Sequence, residues 1–240
     1  MKRILLSFLA AFALLAGTAS AQVSIDFGKT GTSPFVSGST WSAKPSTAAN
    51  GSLAFVTDVG EGGNYYQYST ALTRWRALNG VATIKDLGAP SANVAASETI
   101  VLQALIPAGA WQTNDVLRIY VDLSKSGTTD TGALAIRIGT AGTTADTAVF
   151  NLASYMAAAT QSSGNIFDLK LLSATSVRRQ GYTSTSNGHT YLGNSSNALD
   201  AAVTITSAAA NALYVSVSIA SSGATNTVAM TGGQIQLITP

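Results

Sequence analysis

Tyr182, Asn187, His189, Tyr191 and Asn194 form the densest cluster of ligand-type side chains in this 240-residue chain. Flat rings stack on the apolar faces of sugars, and carboxamides bond their hydroxyls. The stretch 182–196 that carries them is otherwise rich in Gly, Ser and Thr. It reads as a polar loop, and loops on a rigid scaffold are where β proteins place recognition. A cell-surface glycan is the ligand this composition fits; an ordinary exposed loop is the competing reading. Tyr65, Tyr66 and Tyr68 make a second aromatic cluster, for which core and cross-strand packing competes with binding. Trp41, Trp75 and Trp111 read as packing residues at strand ends, and Arg178-Arg179 as a solvated or interface pair.

Catalytic constellations can be tested by counting. His189 is the single histidine and there is no cysteine, which removes two-histidine zinc motifs and thiol chemistry. No lysine has a serine three positions before it. Gly60-Glu61-Gly62 lacks the third glycine of a dinucleotide fingerprint, because Tyr65 stands there. A triad of His189 with Asp168 or Asp200 has no nucleophile elbow to complete it. Asp115, Asp122, Asp130, Asp146 and Asp200 lie beside turns or at strand ends, where aspartate bonds its own backbone. Asp130 and Asp146 could supply oxygens to calcium, but no Asp-x-Asp-x-Asp loop supports such a site. The expectation is a protein with no catalytic residues, no metal and no cofactor, and not an enzyme.

The elements that must position these residues read as strands. Val23, Ile25 and Phe27 alternate with polar residues. Leu53 to Val59 and Tyr65 to Tyr68 flank Gly60-Glu61-Gly62-Gly63, which predicts a hairpin. Arg74 to Leu78 then meets Asn79-Gly80 and Val81 to Ile84, a second hairpin signal. Residues 41–87 thus read as a compact β-meander and 88–96 as a linker. Alternating segments follow at 99–106, 116–123, 133–139, 147–152, 166–172, 201–205, 213–219 and 228–238. This spacing predicts an antiparallel sandwich or barrel. One short helix is expected around Leu152, Tyr155, Met156 and Ala159. Val228 to Ile238, with no charge on it, is expected at a sheet edge; such an edge calls for a covering partner, hence a homo-oligomer.

Lys2-Arg3, the apolar run Ile4 to Ala16 and Ala19-Ser20-Ala21 have the three-part layout of a secretory leader, cleaved before Gln22. The run is 13 residues long, short of the ~18–20 that span a bilayer. Lys2 and Arg3 are two of the 13 basic residues, so without the leader 11 bases face 11 acids. A neutral body offers no basic stripe for phosphates, and nucleic acid is not an expected partner. Charged residues are 10% of the chain, against roughly 25% in ordinary domains.

Trp41-Ser42-Ala43-Lys44-Pro45, Val56 to Gly60, Arg74-Trp75-Arg76 and Asn79-Gly80 together resemble a small module of tailed-bacteriophage structural proteins. Ile106 to Gly109, Asp115 to Arg118, Arg137 to Thr143 and Ser176 to Gly181 are similar to the jelly-roll domain that follows it. The resemblance spans roughly 41–240. It implies an all-β fold with little helix, a small β-module followed by a jelly roll. With the residue patterns this gives an N-terminal leader over 1–21, which is not usual in that family, a β-meander module over 22–87, a linker over 88–96 and a jelly-roll sandwich over 97–240. It also implies a virion tail or fibre component, oligomeric, with other virion structural proteins as partners and sometimes a part in host attachment. The leader favours an alternative, a secreted bacterial adhesin or carbohydrate-binding sandwich. The expected location is therefore the virion or the exported fraction.

Overall fold

The computed structural model describes residues 36–157, 159–185, 188–191 and 202–240, without the side chains of 36–37, 180–185 and 188–191. The expected leader and the Val23–Phe27 strand lie outside the described residues. Those described form strands and no helix.

The first four strands are β1 (Val36–Ser39), β2 (Leu53–Val56), β3 (Asn64–Ser69) and β4 (Arg74–Ala77). They make a small sheet in that order, with β1 parallel to β2 and the rest antiparallel. The glycine turn at 60–63 closes the β2–β3 hairpin as its sequence predicts. Gly60, Gly62 and Gly63 all have φ near +80° (82°, 81° and 78°), a backbone that side chains rarely adopt. Alternation then buries Ala54, Val56, Tyr66, Tyr68, Trp75 and Ala77 on one face.

The chain continues through β5 (Val81–Asp86), β6 (Thr99–Ile106), β7 (Val116–Lys125), β8 (Gly132–Gly139), β9 (Thr147–Met156) and β10 (Gln161–Ser173). After these come β11 (Ser176–Thr185), β12 (Gly188–Tyr191), β13 (Ala202–Thr204), β14 (Leu213–Ser221) and β15 (Val228–Ile238). Four antiparallel pairs nest inside one another: β5 with β15, β6 with β14, β7 with β10, and β8 with β9. Folded into two sheets, β5-β15-β7-β10 and β6-β14-β8-β9, this nesting is the jelly roll. β11, β12 and β13 extend the first sheet beyond β10.

The two inner faces follow from period-2 alternation. Leu117, Ile119, Val121, Phe167, Leu169, Ile235 and Leu237 face Leu102, Leu134, Ile136, Ile138, Val215 and Val217, all buried. Phe150 meets Phe167 edge-on at 4.9 Å, joining the sheets. Each such side chain stabilises the fold by about 1.5–3 kcal/mol.

Several expectations change here. β5 pairs with β15, not with β4. Asn79-Gly80 is therefore a corner between two sheets and not a hairpin turn, and the last strand of the expected meander is the first of the jelly roll. The expected linker 88–96 is bonded along β15: Ser91 donates its N–H to Met230 O (2.8 Å), and Val94 and Val228 exchange backbone bonds. The expected helix near Leu152 is the second half of β9, because Leu152 and Met156 pair with Leu134 and Gly132 of β8. β15 lies between β7 and β5, so it is not an edge. Among the described residues the edges of the second sheet are β6 and β9, and neither carries a charged residue.

Candidate functional site

The sequence-predicted binding stretch is half strand. β11 and β12 pair as a hairpin, with Tyr182 opposite Tyr191 and Ser184 opposite His189. This corrects the open loop expected from composition: Ser and Thr are tolerated in a strand that finds a backbone partner, and β10 supplies one. Asn187 and Asn194 lie outside the described residues. The backbone thus brings Tyr182 and Tyr191 to one register position, with His189 two residues along.

The other aromatics are packing groups. Tyr66 and Tyr68 are buried, in edge contact with Trp41 (5.0 Å) and Trp75 (5.5 Å). Burial pushes the Tyr66 hydroxyl well above the usual phenol range, with Asp115 and Asp58 adding to the rise. Tyr65 stays half exposed against Phe55. The Lys44 ammonium sits 3.8 Å from the Trp41 ring centroid. Burial lowers its pKa to about 8 against the opposing pull of Asp58.

The acids are turn builders and ion-pair partners. Asp146 accepts the N–H groups of Ala141, Gly142 and Thr143 (3.2, 2.7 and 3.2 Å). Asp130 accepts that of Asn226 (3.0 Å). The two lie at opposite ends of β8, about 26 Å apart for eight residues of strand, so they cannot share a calcium ion. Asp168 holds Arg118 through two bonds of 2.8 and 2.7 Å. Among the described residues no group of three or more metal-ligating side chains converges.

Sequence reasoning missed a cleft at the seam between the small sheet and the jelly roll. The β3–β4 turn forms one wall with Leu72, Thr73 and Arg74. The β6–β7 loop forms the other with Gly109, Trp111, Gln112, Thr113 and Asn114, and Leu171, Ala174 and Ala209 complete it. Its volume is about 480 Å³. The Arg74 guanidinium spans the seam, donating to Asp115 Oδ1 (2.9 Å), Thr113 O (3.2 Å) and Pro240 O (3.3 Å). Asp115 Oδ2 accepts from Gln112 N at 2.9 Å, and Asn114 N donates to Leu171 O at 2.8 Å. Burial raises the Asp115 pKa to about 6, outweighing the Gln112 N–H and the Arg74 charge. Thr73 (φ 55°) and Asn114 (φ 75°) are the non-glycine residues of positive φ among those described, and both line this cleft. The available signal was Asn114 before a buried Asp; Arg74 reaches it from 41 positions away, which no local pattern shows.

No family profile and no curated protein sequence matches the chain. Among solved structures, a chain of the infectious bursal disease virus Gx strain superposes with a TM-score of 0.19 and 16% identity. The match covers 67% of this chain and 40% of the viral one.

Proposed function

We propose that the chain is a non-enzymatic structural component of a tailed-bacteriophage-like virion, of tail or fibre type. It assembles with copies of itself and with other virion proteins, and contributes to attachment at the host surface. The observation that carries this reading is the seam. Of the phrases in which the sequence resembles phage structural proteins, Arg74-Trp75-Arg76, Asn79-Gly80 and Asp115 fall where the small sheet meets the jelly roll. Arg76 donates to Thr239 O (3.1 Å), Thr239 Oγ1 accepts from Ala77 N (2.9 Å), and Thr239 N donates to Gly80 O (2.8 Å). Part of the resemblance therefore lies in residues that join the small sheet to the sandwich. The uncharged edges β6 and β9 add to it, since bare edges invite a covering chain. Arg179 already caps the Val149 carbonyl of β9 (2.7 Å).

Density-gradient fractions of particles from the source culture test the proposal. Mass spectrometry should find the chain in the particle band at fixed stoichiometry to other virion proteins, and light scattering of the pure protein should show an oligomer. Recovery solely in particle-free medium would overturn it. The layout of residues 1–21 would then favour the secreted adhesin.

A further inference from the structure

We propose that the seam cleft is a binding site for a neutral saccharide of one to three rings. This names a site for the attachment role proposed above and rests on that role. The cleft volume of about 480 Å³ falls within the ~300–1,000 Å³ typical of small-molecule sites, which favour domain boundaries. Its electrostatics select the ligand class. Both terminal nitrogens of Arg74 already donate within the chain, and its charge is matched by Asp115 at 2.9 Å. Among the described residues no uncompensated charge is left on the wall to attract an anion or a cation. What the wall does present is mixed: exposed Thr73, Thr113 and Asn114 and half-buried Gln112 beside exposed Leu72 and Ala209. A sugar ring has that same division, hydroxyls around its rim and C–H groups on its face.

The backbone supplies a second, independent observation. Glycine would hold the turns at Thr73 and Asn114 without strain. A hydroxyl and a carboxamide stand there instead; the conformation costs backbone energy at β-branched Thr73 and little at Asn114, and both residues line one cleft. Strain held in place by surrounding bonds is characteristic of ligand clamps. Here the bonds from Arg74 to Thr113 O and from Asn114 N to Leu171 O hold it. The walls are therefore ordered before any ligand arrives, which removes part of the entropic cost of binding.

Saturation-transfer NMR of the full chain with a panel of neutral hexoses and N-acetylhexosamines is the test, followed by a glycan array for longer ligands. At least one neutral sugar should receive saturation. Asn114→Gly and Thr73→Gly, both compatible with these positive-φ turns and expected to melt near wild type, should each weaken binding about tenfold. Ala209→Trp, at an exposed position, should fill the cleft and abolish it. The proposal is overturned if no neutral sugar binds, if the array responds to charged glycans alone, or if Asn114→Gly binds like wild type. In the last case the Tyr182–Tyr191 hairpin is the next place to test, by Tyr182→Ala and Tyr191→Ala. Co-sedimentation with particles is independent of all three results, so the saccharide site can fail while the virion assignment stands.

Discussion

Asp115 is 1% exposed, and its burial sets a pH dependence. In the folded chain it keeps its proton up to about pH 6, whereas the ordinary value is 3.8. The folded state thus binds more protons than the unfolded one across that window. Stability should fall as pH rises through it, by up to about 1.4 kcal/mol per unit. Thermal melts of Asp115→Asn between pH 4 and 6 should show this slope flattened relative to wild type. Glu98 behaves oppositely. Burial would raise its pKa, but hydrogen bonds from Arg137 and Ser218 outweigh that and hold it below the usual range. Its stabilisation is present above about pH 4 and lost on further acidification. Lys125 is a different kind of buried charge. At 1% exposure its ammonium donates to the carbonyls of Gly127 (2.8 Å), Ala159 (3.2 Å) and Ser126 (3.5 Å). Lys125→Met leaves these acceptors without that donor, and denaturant unfolding should report a loss of about 2–4 kcal/mol.

The turns differ in what they demand of their glycines. Gly127 has φ 76°, and a Cβ there would lie 1.3 Å from Asn226 Oδ1, whereas Gly62 has φ 81° and open space. Gly62→Ala should cost about 1 kcal/mol, from the backbone alone. Gly127→Ala should cost about 2–4 kcal/mol, because the buried Asn226 must also move; parallel urea titrations would separate the two. This difference was not legible in the sequence, where both glycines sit in similar polar turns. Strand alternation was legible: Val116 to Leu123 and Leu213 to Ile219 lie inside the strands their patterns predict. β11 and β12 were not, because Tyr182 to Ser196 has turn composition; pairing with β10 makes β11 a strand, and β11 in turn pairs with β12. The apolar spacing of Leu152, Tyr155 and Met156 fits a helix as well as the bulged strand it is; pairing with β8 decides. The seam cleft was least legible, since Arg74, Asn114 and Ala209 converge from three distant segments.

For the whole molecule, boundaries follow pairing and not composition. A chain beginning at residue 97 lacks β5 and the 88–96 segment, and so bares β15 from Leu237 back to Val228. It should be insoluble or lack a cooperative thermal transition, while a chain beginning at residue 80 should melt cooperatively. In the full chain the small sheet and the jelly roll should melt in one calorimetric transition, because Arg74, Arg76 and Thr239 bond them together. Two resolved transitions would show that the seam does not couple them.

The nested pairing also sets a timetable. β15, the last strand in chain order, enters between β5 and β7, whose residues precede it by more than a hundred positions. During synthesis the first sheet therefore has a gap between β5 and β7 until β15 emerges. Non-local pairing of this kind folds slowly. A nascent chain that cannot complete its core stays open until β15 has been made, which is the condition in which a polypeptide can be held by a chaperone.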